Sequence, residues 1–554
     1  MTNISTATDF YKVGHIDQYP QELVFLQSNF TPRSGKLQNV PVNGIIFFGL
    51  SYFCKKYLTE EWDKNFFNRP KEEVLEKYSN RISTSLGITK NPDHISKLHD
   101  LGYLPIYVKA VPEGSLVKYG VPALVIENTV PGYHWLVNYL ETLLSNYLWM
   151  PCTSATTAAY YREVMEHYAK ETCSDNSHID FQGHDFSFRG MATLEAAALS
   201  GAGHLLSFKG TDTIPAIDLL EDYYNAKTPI AFSVPASEHS VMSSYGKVDE
   251  FLTFKRFVTE LYPNGIVSIV SDTWDLWKVL TDYLPNLQNE ILKREGKVVI
   301  RPDSGNPADI ICGEVIDITD EYGFLYVNLD ELALIADDFN LKDGNVIRAN
   351  GHYYKVSAEY EPYDYYWFNY SLTQIEPEPK HKGVLQLLWE TFGGTVNDKG
   401  YKVLNPKIGC IYGDSISPTR LHEILKRMKE MGFASSNIVL GLGSYTYQYV
   451  TRDTHGFAVK ATWAKDSFGN ERFLSKDPIT DKGSVKKSLT GKVSCVNGRA
   501  VSGLSEEDEY VLRGSDDYLT YFYNGLRNDD ISYEDIVKHK QLNNLTDFIK
   551  HEGV

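Results

Sequence analysis

From about residue 178 onward, short apolar runs at 205–208, 230–234, 266–270, 298–300, 408–412 and 438–440 alternate with stretches of helical period. Such alternation predicts βα units whose strands lie side by side in a parallel sheet, and an irregular α/β barrel is the natural closure of that sheet. Polar or glycine positions follow the runs: Asp212, Glu238 with His239, Asp272, Arg301 with Asp303, Asp414, and Gly441 with Gly443. The C-terminal ends of parallel strands form one rim of a barrel, so this register predicts a single site on that rim.

The earlier part of the chain has a different texture. Strand-like segments at 23–30, 106–111 and 123–127 are separated by Gly/Pro turns, which predicts a β-rich domain with helical inserts over 1–150. An apolar helix is expected over 133–150 after Pro131, and Pro151 is read as opening a second one, since proline's missing N–H is harmless in a first turn. These helices are expected to join a barrel domain at 151–452 to a β-rich, sandwich-like domain that residues 453–554 complete.

Composition narrows the function classes. With 554 residues and 42% hydrophobic content the chain is long enough for two cores. Its 54 basic and 72 acidic residues give a net charge of −18, which argues against broad binding to nucleic acid or to anionic membrane. Any anionic ligand must therefore meet a local basic cluster. No apolar segment is long enough to span a bilayer and the N-terminus lacks signal-peptide character, so a cytoplasmic protein is expected. Cys54, Cys152, Cys173, Cys312, Cys410 and Cys495 show neither CxxC nor His-Cys spacing and are read as reduced and structural.

The stretch 184–212, HDFSFRGMATLEAAALSGAGHLLSFKGTD, is the centre of the chemistry. Phe186, Arg189 and Asp212 flank a helix and a strand with almost no other charge, so they are expected to meet in one pocket. Several rim residues carry plainer readings as well. Asp272 before Thr-Trp-Asp-Leu-Trp fits a helix N-cap, Asp303 in RPDSGNP fits a turn, and His239 alone would be a hydrogen-bonded structural histidine. GLGSY at 441–445 lacks the third glycine of a dinucleotide fingerprint, although its glycines suit close approach to a phosphate. Lys460, Lys476, Lys482, Lys486 and Lys487 read either as a solvated face or as a partner for pyrophosphate.

An ordered set of motifs then resembles one family. TDFYKVGHIDQYP at 8–20, HDFSFRG at 184–190, FKGTDT at 208–213, SVPASEHS at 233–240, SIVSD at 268–272, RPDSGNP at 301–307, YGDS at 412–415, VTRD at 450–453 and KDP at 476–478 are similar to nicotinamide phosphoribosyltransferases. The resemblance implies a homodimer with two shared active sites, binding nicotinamide and phosphoribosyl pyrophosphate. It implies that Phe186 and the other subunit's copy of Tyr11 sandwich the pyridine ring, with Arg189 on the amide oxygen, Asp212 on the amide nitrogen and Ser268 nearby. A carboxylate accepts from –NH₂ but repels –COO⁻, so Asp212 favours nicotinamide over nicotinate. It further implies that Asp303 and Asp414 hold the ribose and Arg301 the pyrophosphate. Gly413, Gly443 and Ser444 would cradle the 5′-phosphate, and Arg33, Arg452, Lys460 and Lys476 would neutralise phosphates. Mg²⁺ would assist the leaving group, and ATP would phosphorylate His239 with Asp272 orienting it.

Two departures from the family pattern stand out. Roughly 70 residues at about 310–380, hairpin-like and rich in tyrosine, read as an insertion that decorates the surface or a dimer contact. The phosphate segments read GDSIS at 413–417 and GSY at 443–445. An altered loop beside an aromatic insertion also suits a longer donor, ADP-ribose pyrophosphate, which would give NAD directly. A third reading is a binding protein that has lost turnover.

Overall fold

The computed structural model describes residues 3–227, 229–318, 341–349, 351–360, 368–413, 415–476, 489–512, 514–542 and 548–549. One half is built on a parallel sheet of six strands in the spatial order Gly210–Thr211, Gly183–Asp185, Ile438–Leu442, Ile408–Tyr412, Glu295–Arg301, Asn264–Val270. Every neighbouring pair is parallel. Strands covered on both faces read as continuous apolar runs, and Ile408–Tyr412 is buried at every position.

The two edges of this sheet are joined by one irregular segment. Phe232 forms a parallel bridge to Gly210, and Ala236 forms one to Ser268. The amide of Ser268 donates to the Pro235 carbonyl at 2.9 Å, and that of Thr211 to the Phe232 carbonyl at 3.0 Å. Pro235 has no N–H to give a ladder, so the run expected at 230–234 closes the barrel without becoming a regular strand. The apolar run at 205–208 is likewise not a strand. Thr193 caps the helix Leu194–Leu205 by accepting from the Ala196 amide, and that helix extends into the run before the strand Gly210–Thr211 begins. Four apolar residues cannot by period alone be told from the end of a buried helix.

The other half is a seven-stranded sheet, Glu471–Phe473, Phe457–Asp466, Leu23–Pro32, Leu124–Asn128, Ile106–Ala110, Leu519–Tyr523, Leu526–Arg527, antiparallel throughout. Its strands come from both ends of the chain. A single helix, Glu141–Thr172, runs between the halves with Pro151 inside it, so the expected helix start at Pro151 is corrected. Its Leu144, Leu148 and Cys152 belong to the core of the antiparallel half, and Ala155, Ala158 and Met165 to the core of the barrel half. Burial on both sides holds the helix together across the missing N–H, and the Pro151 ring sits against Gly49, where an added Cβ would come within 2.6 Å of its Cγ.

Of the region expected as an insertion, the described part is a four-stranded sheet in the order Ile316–Asp317, Val346–Ala349, His352–Tyr360, Phe368–Ile375, with a small core of Ile318, Leu341, Ile347 and Val356. A buried ion pair lies within this sheet, and Arg427 of the barrel helix Pro418–Glu430 joins it. Arg348 donates to Asp317 from Nε at 2.7 Å and from Nη2 at 2.9 Å, and Arg427 reaches the same carboxylate at 3.3 Å. Among the described residues no helix is long and apolar enough to cross a membrane, and all six cysteines are unpaired and buried.

Candidate active site

The rim is assembled from residues that follow successive staves. Phe186, just past Gly183–Asp185, donates its amide to the Leu442 carbonyl at 3.0 Å and so lies over the neighbouring strand. Gly441 makes this possible, because a Cβ there would come within 2.6 Å of Phe186 Cδ2 and 2.7 Å of Gly413 Cα. The Arg301 guanidinium, at the end of Glu295–Arg301, lies 5.1 Å from the centre of the Phe186 ring. Cation and aromatic face attract, which holds the arginine in the pocket mouth. Its Nη2 is 4.0 Å from Asp303 Oδ1, and its buried Nε has no hydrogen-bond partner.

Asp212, directly after Gly210–Thr211, faces the same mouth. His184 Nε2 meets its Oδ1 at 2.9 Å, and the Ser233 hydroxyl donates to that oxygen at 2.5 Å. Burial alone would raise this carboxyl, yet the bonds from His184 and Ser233, with the charges of His184 and Arg301, hold it below the ordinary aspartate value. His184 also touches Phe186, ring centroids 4.5 Å apart. The expected ring and carboxylate are thus joined by a histidine.

On the far side of the rim, His239 opens the helix His239–Ser244 with its Nε2 3.9 Å from both Asp272 Oδ1 and Asp303 Oδ2. Its Nδ1 lies 3.1 Å from the Thr273 hydroxyl. Asp272 caps no helix, since Asp275 takes that role for Leu276–Lys278. Instead its Oδ2 accepts the Asp303 amide at 2.8 Å, while its buried Oδ1 accepts no hydrogen bond. Asp303 lies outside the helix Pro307–Cys312 that follows, which Asn306 caps. Ser268 is buried on Asn264–Val270, the stave that Asp272 follows, with its hydroxyl unpartnered.

Other expected residues sit around this centre. Arg189 is exposed on the 3-10 turn Phe188–Gly190, and Gly190 lies so close to Ser444 that a Cβ would fall 2.0 Å from its hydroxyl. Gly443 precedes the short helix Ser444–Tyr447. Gly413 approaches Asp303 and Arg301, whereas Asp414 lies outside the described residues. Lys482, Lys486 and Lys487 lie outside them too.

Arg33, Arg452, Lys460 and Lys476 form a second group, on the antiparallel half. Lys460 is exposed on Phe457–Asp466, and its ammonium is pushed down by desolvation against Glu141's opposing pull, and further by Arg33, Lys476 and Arg452. Tyr11 is 63% exposed, its ring against His15 at 5.6 Å and the Lys12 ammonium at 5.2 Å. Sequence reading missed His184, Ser233 and Thr273 as site residues. The first two stand inside quoted motifs, but their partner, Asp212, is 28 and 21 positions away.

His352, Tyr353 and Gln374 of the segment expected as an insertion share a cleft with Lys402 and Met431, which precede Ile408–Tyr412 and Ile438–Leu442. Those are the starts of the strands, whereas Gly413 and Gly443 mark their ends. The described part of this segment therefore lies toward the starts of these strands, while most of its aromatic residues, among them Tyr363, Tyr365, Tyr366 and Trp367, lie outside the described residues.

Among the described residues no group of three or more His, Cys, Asp or Glu side chains could hold a metal ion by itself. Asp272 Oδ1, which accepts no hydrogen bond, and the nearby Asp303 nevertheless fit Mg²⁺, which commonly takes one or two carboxylates and draws its other oxygens from substrate phosphates and water.

Comparison with known proteins gives the family. Residues 181–499 match the model of the nicotinate phosphoribosyltransferase (NAPRTase) family, and residues 3–108 match the nicotinamide phosphoribosyltransferase N-terminal domain. A nicotinamide phosphoribosyltransferase of Acinetobacter baylyi is 43% identical over 533 residues, covering 94% of each chain. One from Mycoplasma pneumoniae is 33% identical over 498 residues, covering 88% of this chain and 94% of that protein. A solved nicotinate-nucleotide pyrophosphorylase from Pyrococcus furiosus shares the fold with a TM-score of 0.50 at 13% identity, covering 97% of this chain and 95% of that one. With a rim of this chemistry on a barrel of this topology, the chain belongs to the nicotinate phosphoribosyltransferase family of pentosyltransferases, on the side of its nicotinamide-named members.

Proposed function

We propose that the enzyme joins nicotinamide to phosphoribosyl pyrophosphate, giving nicotinamide mononucleotide and pyrophosphate for NAD salvage. The observation that carries this reading is an ionised carboxylate, Asp212, linked through His184 to an aromatic face, Phe186, on the barrel rim. The pyridine ring stacks on Phe186, its amide nitrogen donates to Asp212, and Arg189 donates to the amide oxygen. The ring nitrogen attacks the anomeric carbon as the bond from that carbon to the pyrophosphate oxygen breaks. The nitrogen enters neutral and leaves as a pyridinium, so no general base is required. Rate comes from positioning and from stabilising charge. Asp303, with Asp414, offsets the positive charge that develops on the ribose, and Arg301 holds the departing pyrophosphate. Mg²⁺, when bound, would neutralise that leaving group.

A homodimer that brings Tyr11 and the cations Arg33, Arg452, Lys460 and Lys476 to the neighbouring subunit's rim is part of this proposal, as is phosphorylation of His239 by ATP. A cytoplasmic location is also part of it, supported by six buried cysteines without a disulfide. The test is a mass-spectrometric product assay with nicotinamide and Mg²⁺, using phosphoribosyl pyrophosphate or ADP-ribose pyrophosphate in separate tubes, each with and without ATP. Nicotinamide mononucleotide from the first donor is the expected result. NAD from the second donor alone would replace this reading by direct ADP-ribosyl transfer.

A further inference from the structure

Asp212 takes both of its donors on one oxygen. His184 Nε2 and the Ser233 hydroxyl converge on Oδ1, and among the described residues Oδ2 accepts no hydrogen bond. The Asp212 side chain is 43% exposed even with both donors on Oδ1. The two donors come from different staves, His184 from Gly183–Asp185 and Ser233 from the closing segment, while Asp212 follows a third.

The histidine is itself immobilised. Its side chain is 11% exposed, it pairs with Gly210 on one side and Gly441 on the other, and its ring packs on Phe186. Gly210 leaves room for the ring, because a Cβ there would come within 2.7 Å of His184 Nδ1. A ring so confined presents its Nε2 proton in one direction. A carboxylate gripped at Oδ1 from two directions cannot rotate about its own axis, and its second oxygen points where the donors leave it.

We propose that His184 and Ser233 are positioning residues that set the choice of an amide over a carboxylate substrate, by fixing Asp212 with Oδ1 engaged and Oδ2 open to an incoming N–H. This rests on the reading of the rim as a nicotinamide site and adds to it what makes Asp212 selective. An ionised oxygen held in place accepts an amide hydrogen and repels a carboxylate. A carboxylate free to turn would give up part of both effects, and losing one partner of a charge-assisted bond is worth roughly tenfold in binding.

The experiment measures kcat and KM for nicotinamide and nicotinate, with dissociation constants for both by calorimetry, in the unaltered enzyme and in Ser233→Ala, Ser233→Thr, His184→Leu and His184→Gln. Ser233→Ala and His184→Leu are expected to lower the nicotinamide-to-nicotinate ratio about fivefold or more, mainly through KM and Kd for nicotinamide. Ser233→Thr and His184→Gln, which keep a donor, are expected to recover part of it. A ratio within about twofold of the unaltered enzyme in Ser233→Ala, a change at an exposed residue, overturns the proposal even where His184→Leu fails to fold. An unaltered enzyme that neither binds nor turns over nicotinamide overturns the underlying reading itself.

Discussion

The backbone amide of Asp303 donates to the side chain of Asp272 at 2.8 Å, which ties the loop after Glu295–Arg301 to the loop after Asn264–Val270. Two carboxylates are thereby fixed on one side of His239, each 3.9 Å from its Nε2. One of them, Asp303, is also within 4.0 Å of Arg301, so a single backbone bond sets the spacing of the rim's charged groups.

Asp303→Ala is expected to lower kcat/KM for the phosphoribosyl donor by about 10²-fold or more, because stabilisation of charge in the transition state is lost. Nicotinamide binding, measured by calorimetry, should stay close to that of the unaltered enzyme. Full synthesis in this variant would remove Asp303 from the mechanism.

Gly441→Ala places a methyl within 2.6 Å of the Phe186 ring and 2.7 Å of the Gly413 backbone. A ring can shift but a strand end cannot, so the variant should lose roughly 1–3 kcal/mol of stability and raise KM for nicotinamide severalfold. Thermal melts and steady-state kinetics check the two effects separately.

The pH dependence of Asp212 has a definite sign. Its carboxyl lies below the ordinary value when folded, so its contribution to stability is full above the unfolded aspartate value, about 3.9, and is lost as pH falls through the folded value. The difference in Tm between the unaltered enzyme and Asp212→Asn should narrow as pH falls below about 4. A difference that stays constant down to about pH 2 would contradict an ionised Asp212 held by His184 and Ser233.

Asp317→Ala leaves Arg348 with a buried, uncompensated charge, since both side chains are only 5% exposed. Breaking such a pair costs about 3–5 kcal/mol. The loss should appear as faster hydrogen exchange in Val346–Ala349 and His352–Tyr360, with less change in the barrel strands. Uniform destabilisation of the barrel and the four-stranded sheet alike would mean that the pair does not act locally.

Alternation of apolar runs and helical stretches was enough to specify a parallel barrel, because strands buried on both faces must be apolar and their ends must be polar. The strand Ile408–Tyr412 falls where the run 408–412 is written. Local pattern failed where tertiary packing overrode it. Pro151 lies inside a helix because two cores press on it, and the run 230–234 closes the barrel by isolated bridges because Pro235 interrupts the ladder. Motifs likewise specified Phe186, Asp212, His239 and Asp303 as rim positions, since each follows its own stave in sequence. Only the tertiary structure decided that His184 and Ser233 grip one oxygen of Asp212, that Asp303 hangs on Asp272, and that the described part of the segment 310–380 packs at the starts of the strands. Periodicity along a chain reports which face of an element is buried, whereas hydrogen bonds between staves depend on closure and register, which appear only when distant segments meet.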